Sequence, residues 1–420
     1  MVIYFSGIGG VALGPLAEIA RDAGHTVIGS DLSSSLTTEE LEKSGVSVGT
    51  DQSGRFLADC HEREPIDWFV YTSALTDNHP ELEWAKNLGI SRITKRNELI
   101  NHILKEKNLK MIAIAGTHGK TTTTAMMLWT MQQLGIPVSY SVGTTLSFGP
   151  SGKYVPGSEY FVYECDEFDR NFLSFSPHLS IVTSIDYDHP DSYPTQADYT
   201  HAFSQFLQQS QQAIMWARDT IINVDVPRNA WVLNDSEVID IKLIGEHNRA
   251  NASLLVKGLE YIGVTDWSAI APILESFPGS RRRFERLADN LYSDYGHHPV
   301  EISATLQLAR EVSDHVVLVY QPHQNIRQHQ VRSGYTSCTR LADEIYWLPT
   351  YLAREDPNLH TLSPQELTAN LVNKDAVTYS QLDDELWDNI TRARQAGKLV
   401  LCMGAGTIDS WLRERLVSAS

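Results

Sequence analysis

A chain of 420 residues is longer than one hydrophobic core usually organises, so two or three domains are expected. Its composition, 42% hydrophobic and 20% charged, is ordinary for a globular protein, and 52 acidic against 34 basic residues leave a net charge of −18. That balance argues against a nucleic-acid partner, since a phosphate backbone is bound by basic surface, and no apolar run reaches the ~18–20 residues a membrane span needs.

Read in chain order, the N-terminal stretch Met1-Val2-Ile3-Tyr4-Phe5-Ser6 enters a strand pattern with no basic leader and no cleavage signal. Cys60, Cys165, Cys338 and Cys402 lie far apart, without metal-type or redox-type pairing. A cytoplasmic protein with reduced thiols is the expectation. The run Val2–Ser6 leads into Gly7-Ile8-Gly9-Gly10 and a helical pattern, and Ser30-Asp31 closes the next strand. The spacing Gly7-x-Gly9-x-x-Ala12 is that of a dinucleotide turn, with Asp31 placed for a ribose hydroxyl. Ser73 follows the strand Trp68–Thr72, where a nucleotide contact and a helix N-cap are both open readings.

The polar stretch Lys105-Glu106-Lys107-Asn108 reads as a linker. After it Met111–Ala115 leads into a second glycine turn, and Leu399–Met403 leads into a third, Gly404-Ala405-Gly406, with a helix from about Asp409. Between them the strands Tyr160–Glu164, Leu179–Ser184, Leu291–Asp294 and Val316–Tyr320 alternate with helical stretches. This alternation predicts an α/β fold with mainly parallel sheets. The domain boundaries are placed at 1–107, 108–289 and 290–420, the second at a break near Ala288–Asn290.

Gly116-Thr117-His118-Gly119-Lys120-Thr121-Thr122-Thr123 is the most informative stretch. Glycines let backbone amides close on phosphate oxygens, the helix that follows aims its positive end at them, and Lys120 adds a cation. Thr121 is placed to ligate the Mg2+ that accompanies ATP. The common form of the loop has a glycine where Ile114 stands, so this is a shortened version. Downstream, Glu164-Cys165-Asp166-Glu167-Phe168-Asp169 gathers carboxylates at a strand end, where they repel unless a cation is near. Three adjacent cations, Arg281-Arg282-Arg283, imply an anion in so acidic a chain, and arginine suits phosphate.

The shortened loop Gly-Thr-x-Gly-Lys-Thr resembles that of the Mur ligases and of their relatives the folylpolyglutamate synthetases. The resemblance continues through Asp188-His189, Gly245-Glu246-His247-Asn248-Arg249-Ala250-Asn251, Arg282-Arg283-Phe284 and Asp294-Tyr295-Gly296-His297-His298-Pro299. It implies three domains: a Rossmann-like N-terminal domain, a P-loop-type ATPase central domain and a Rossmann-like C-terminal domain. The first would hold a UDP-sugar through Gly7, Ile8, Gly9, Gly10, Ser30, Asp31 and Ser73. The loop residues Gly116, Thr117, His118, Gly119, Lys120, Thr121 and Thr122 would hold the ATP phosphates, with Mg2+ on Thr121, Glu164 and His189. His247, Asn248 and Asn251 would meet adenine, Asp294 the ribose, and Arg282 or Arg283 the γ-phosphate. His298 would stand near the incoming amine, and Tyr295 and Arg327 near the amino acid.

No lysine occurs between Lys153 and Lys242, which matches the alanine-adding branch and not those branches that use a carbamylated lysine there. The match breaks at Gln321-Pro322-His323-Gln324-Asn325-Ile326-Arg327, where Gln324 and Asn325 replace the Arg and Tyr of the family. In the family those positions help hold the amino acid's carboxylate. The resemblance thus implies an ATP-dependent ligase that joins an amino acid, L-alanine, to the lactyl carboxylate of UDP-N-acetylmuramate through an acyl phosphate, in peptidoglycan precursor synthesis. Such an enzyme is a monomer or homodimer with small-molecule partners. A ligase that attaches a ready-made tripeptide to the same sugar, and a degenerate ligase that only senses nucleotide, are the competing readings. A dehydrogenase reading of the first domain would require nicotinamide binding.

Overall fold

Runs such as Val-Ile-Tyr-Phe-Ser and Trp-Phe-Val-Tyr place bulky side chains at successive positions, which suits strands covered on both faces. The computed structural model of the chain describes residues 1–72, 75–189, 192–353 and 355–418 and gathers these runs into three sheets. The first holds β1 (Val2–Ser6), β2 (Thr26–Ser30), β3 (Ser47–Gly49), β4 (Trp68–Tyr71) and β5 (Arg92–Lys95), in the order β3-β2-β1-β4-β5 and parallel throughout. Side chains alternate between its faces: Ile3 and Phe5 enter one core, while Tyr4 and Phe69 enter another.

The second sheet holds β6 (Lys110–Ala115), β7 (Val138–Ser141), β8 (Gly152–Lys153), β9 (Tyr160–Glu164), β10 (Leu179–Val182), β11 (Gln212–Trp216) and β12 (Trp231–Leu233). Their order is β12-β11-β10-β6-β9-β7-β8, and β8 alone of these runs antiparallel to its neighbour. The third sheet holds β13 (Glu285–Ala288), β14 (Leu291–Asp294), β15 (Val316–Tyr320), β16 (Glu344–Trp347), β17 (Val377–Tyr379) and β18 (Leu399–Met403). Here the order is β13-β14-β18-β15-β16-β17, with the β13–β14 pair antiparallel. Helix-covered sheets of this kind make a three-domain α/β architecture with Rossmann-like outer domains. Two compact units result: Met1–Ile239 with Asn251–Phe277, which contains the first two sheets, and Asp240–Ala250 with Pro278–Ser420, which contains the third.

Topology sets where each glycine turn falls. β1 lies between β2 and β4, and β6 lies between β10 and β9. Each turn therefore leaves the sheet where strand order reverses, the crevice in which open α/β sheets bind ligands. Three expectations need correction. Lys105 and Glu106 are not linker but the last turn of the helix Arg96–Glu106, and β6 starts at Lys110. The break near Ala288–Asn290 is the hairpin between β13 and β14, with Asn290 at φ +56°. β10 ends at Val182 rather than Ser184, because Thr183 turns its hydroxyl to the carbonyl of Ala115 (3.1 Å) and Ser184 faces the loop after β6.

Candidate functional site

The turn after β6 is built by two glycines whose backbone other residues strain to adopt. Gly116 has φ +128°, and a Cβ there would lie 2.4 Å from Thr183 Oγ1. Gly119 has φ +86° and precedes the helix Lys120–Gln133; a Cβ there would meet Asn251 Nδ2 at 2.8 Å. Asn251, expected at adenine, thus packs on the loop itself. The amides of Thr117 and His118 donate to Ser184 O and Ser184 Oγ, both at 2.9 Å. Thr117 Oγ1 donates to Asp186 O (2.8 Å) and contacts Tyr199 OH (2.7 Å). The first bond within the helix runs from Thr123 N to Gly119 O, so Lys120, Thr121 and Thr122 form its positive end.

Lys120 Nζ donates to Gly116 O (2.5 Å), Thr117 O (3.3 Å) and Glu167 Oε2 (2.7 Å), which accounts for its three protons. Burial works to lower the lysine, but Glu167, Asp166 and Glu164 outweigh it and hold Lys120 above its ordinary value. Glu167 is fully buried. Burial alone would raise its carboxyl, yet Lys120 and His189 hold it below the usual range. Its second oxygen lies 3.6 Å from His189 Nε2. The expected metal set is therefore drawn into two pairs: Thr121 Oγ1 donates to Glu164 Oε1 at 2.7 Å, and His189 faces Glu167. The other Glu164 oxygen accepts from Gly143 N (2.7 Å). Two oxygens of this kind at a helix N-terminus are the donors a hard cation takes, and the glycine cradle beside them fits the phosphates of a nucleotide.

At the first glycine turn, the amides of Gly7 and Ile8 donate to Ser30 O, at 2.8 and 2.9 Å. Gly9 N donates to Asp31 Oδ2 (2.7 Å), so this carboxylate fastens the turn it was expected to complement. Gly10 N closes the turn on Gly7 O (3.1 Å). The Ser30 side chain is buried and donates to Glu81 Oε2 (2.7 Å), which also accepts from Ser6 Oγ (2.5 Å), while Tyr4 OH donates to Oε1 (2.6 Å). Glu81 is itself fully buried and ties the ends of β1 and β2 beneath the turn. Ser73 lies outside the described residues.

In the second unit, Arg282 and Phe284 carry positive φ (+56° and +48°), so the Arg-Arg-Phe segment is a strained bend and not an exposed charge run. Both guanidinium groups lie over the Tyr295 ring, Arg282 at 4.7 Å and Arg283 at 5.3 Å. Asp294 holds this bend: Oδ2 accepts from Phe284 N (2.8 Å) and Oδ1 from Gly296 N (2.7 Å). Burial pushes the Asp294 carboxyl up to about 6 against those bonds and Arg283. His298 is the N-cap of the helix Pro299–Val312, with Glu301 closing the capping box.

The neighbouring His297 is half-buried, and its Nδ1 lies 3.1 Å from Tyr295 O. Its Nε2 meets Arg327, which can only donate, so the ring carries its proton on Nδ1 and is neutral. Burial pulls His297 down to about 4, which agrees. Asn325 is buried; its amide donates to Glu355 Oε1 and its side chain joins His360 O to Leu362 N, each at 2.9 Å. It organises the segment that carries Glu355, His360 and Leu362 rather than presenting a group to a substrate. Gln324 holds φ +59°.

The boundary between the units falls inside the helix Glu246–Tyr261, with His247 and Asn248 on one side and Asn251 on the other. Burial pulls His247 down to about 4, a neutral imidazole. Arg249 grips Glu311 through two nitrogens, at 3.0 and 2.9 Å, and Gly245 N donates to the same carboxylate (2.9 Å). Glu311 is thereby held at about 2 instead of 4.5, with the Arg249 bond as the largest cause. A carboxyl lowered in the folded state stabilises above its ordinary pKa and loses that contribution as pH falls through the folded value. Glu311→Gln is expected to flatten the acid limb of thermal stability between about pH 4.5 and 2; an unchanged limb in melts across that window counts against the assignment.

Glu167, Glu81 and His297 are site-shaping residues to which sequence reasoning gave no role. The signal for Glu167 was present in the acidic run, but nothing in one sequence tells which of its carboxylates turns inward.

Against known proteins, residues 2–108 match the catalytic domain of the Mur ligase family, residues 114–231 the Mur ligase middle domain, and residues 282–406 the Mur ligase glutamate ligase domain. The UDP-N-acetylmuramate–L-alanine ligase of Thermosynechococcus vestitus is 30% identical over 97% of this chain and 93% of its own length. That of Leuconostoc citreum is 32% identical over 82% of each chain. The solved UDP-N-acetylmuramate-alanine ligase of Thermotoga maritima superposes with a TM-score of 0.79 at 25% identity, covering 100% of both chains. A murein peptide ligase from Psychrobacter arcticus shares the fold, with a TM-score of 0.66 at 23% identity over 100% of this chain and 98% of its own. The chain belongs to the Mur ligase family of ATP-dependent ligases.

Proposed function

We propose that this protein joins L-alanine to the lactyl carboxylate of UDP-N-acetylmuramate. The observation that carries the reading is the Lys120–Glu167 pair, its carboxylate fully buried, set in the shortened loop beside the Thr121–Glu164 pair. Curated relatives named for this reaction support it. Bound ATP and Mg2+ would supply an activated phosphoryl group, which converts a carboxylate, a poor electrophile, into an acyl phosphate. Lys120 is kept charged by Glu167 and can exchange one of its loop carbonyls for a phosphate oxygen. Thr121 and Glu164 would hold the metal, with His189 as its third ligand. Arg282 and Arg283, stacked over Tyr295, would neutralise the outer phosphate, and Arg327, aligned by His297, would take the amino acid's carboxylate.

We assign the three tasks to residues 1–107, 108–289 and 290–420, for UDP-sugar, ATP and amino acid, with the strand Glu285–Ala288 belonging structurally to the third sheet. An acyl phosphate predicts that hydroxylamine replaces the amine. Incubation with ATP, UDP-N-acetylmuramate and hydroxylamine, without amino acid, is expected to give the hydroxamate of the sugar by mass spectrometry. Release of phosphate without any hydroxamate would remove the acyl phosphate step.

A further inference from the structure

We propose that Glu167 is the positioning residue of the phosphoryl-transfer centre, setting both the Lys120 ammonium and the tautomer of His189, so that His189 offers Nδ1 to the metal. The inference rests on the reading of Thr121, Glu164 and His189 as the metal set and extends it to a residue that touches neither metal nor substrate. Glu167 is fully buried, and its two oxygens divide the work: Oε2 accepts from Lys120 Nζ at 2.7 Å, while Oε1 accepts from Tyr199 OH (3.5 Å) and lies 3.6 Å from His189 Nε2. A buried carboxylate is tolerated only where cations and donors surround it. Its main chain is fixed as well, because Tyr193 OH donates to Glu167 O (2.5 Å).

The imidazole is held from several sides. His189 has φ +57°, its amide donates to Asp188 Oδ1 (2.8 Å), and its ring packs edge-on against Phe168 with centroids 5.3 Å apart. Asp188 Oδ2 stands 3.8 Å from the same Nε2 that Glu167 faces. Two carboxylates at one ring nitrogen put the proton of a neutral imidazole there, which keeps the lone pair on Nδ1. A metal-ligating histidine commonly turns its other N–H toward a carboxylate, and loss of that partner weakens metal binding about 10–100-fold; here the carboxylate oxygens stand within 3.6–3.8 Å of Nε2. The same carboxylate holds Lys120, so the cation for phosphate and the imidazole for metal are registered to one rigid group.

The test begins with the unaltered protein. Long-range ¹⁵N–¹H spectra at pH 8, with His189 assigned through His189→Gln, are expected to show the Nε2–H tautomer; an Nδ1–H tautomer or an imidazolium would overturn the inference. Mn2+ titration followed by electron paramagnetic resonance, with a non-hydrolysable ATP analogue present, then compares the protein with Glu167→Gln. Affinity is expected to fall about 10–100-fold in the variant, with UDP-sugar binding by calorimetry unchanged as the check on folding. Equal Mn2+ affinity, or no Mn2+ binding by the unaltered protein, would also overturn it. A protein that shows the expected tautomer and Mn2+ response but ligates no amino acid would sink the proposed reaction and leave this inference standing.

Discussion

Lys120→Met is expected to lower phosphoryl transfer by about 10²–10³-fold, the scale of losing one pre-placed donor at developing charge, and to destabilise the protein as well. The second effect follows from burial. Glu167 is fully enclosed, and without Lys120 its carboxylate is left beside the Tyr199 hydroxyl (3.5 Å) and the His189 ring (3.6 Å), with no ammonium to balance it. Breaking a buried pair from one side costs about 3–5 kcal/mol, whereas removing both charges together can be close to neutral. The double variant Lys120→Met with Glu167→Gln should therefore regain most of the lost stability and none of the activity. Denaturant melts and phosphate release on the three variants read the two effects separately. A single variant as stable as the parent would show that the pair is not the buried unit described here.

Glu81→Leu is expected to be the most destabilising change in the first sheet, by about 3–5 kcal/mol, since hydrogen bonds to a charged group contribute about 1.5–3 kcal/mol each. Three hydroxyls, from Tyr4, Ser6 and Ser30, converge on this carboxylate at 2.5–2.7 Å, and all of them are buried. Leucine would leave them facing a wall without acceptors. Ser6 and Ser30 end β1 and β2, and the glycine turn hangs from the carbonyl of Ser30, so weaker UDP-sugar binding should accompany the loss. Tyr4→Phe, which removes one donor and leaves the carboxylate satisfied by two, should cost far less. Equal melting temperatures for Glu81→Leu and the parent would contradict this account.

Much of this fold is legible because its signals are local. β1, β9, β15 and β18 are mainly apolar runs, β1 and β18 followed by glycine and β9 closing on Glu164, and the strands fall where those runs fall. The phosphate loop is legible for the same reason: Gly116, Gly119, Lys120 and Thr121 are neighbours in sequence, and their chemistry needs no tertiary partner to be recognised. What is hidden depends on which residues fold against one another. Glu164 and Glu167 look alike in the acidic run, yet the first, closing β9, faces Thr121 and the second, beyond the strand, faces Lys120. Asn325 reads as a substrate position by its place in the motif, and it turns inward because Glu355, His360 and Leu362 supply its partners from a distant segment. Asp31 and Asp294 likewise read as ligands for ribose and are found fastening backbone amides of their own turns. The polar stretch at Lys105 shows the opposite error, in which composition alone suggested a linker where a helix ends.

The central claim is a ligation that depends on one sugar nucleotide and one small amino acid. Phosphate release from ATP, measured with UDP-N-acetylmuramate and each single amino acid in turn, tests it most directly. The account predicts release that requires the sugar nucleotide and is strongest with L-alanine, Gln324 notwithstanding. Release with the tripeptide alone, or tight UDP-sugar binding with no release under any amino acid, would contradict it.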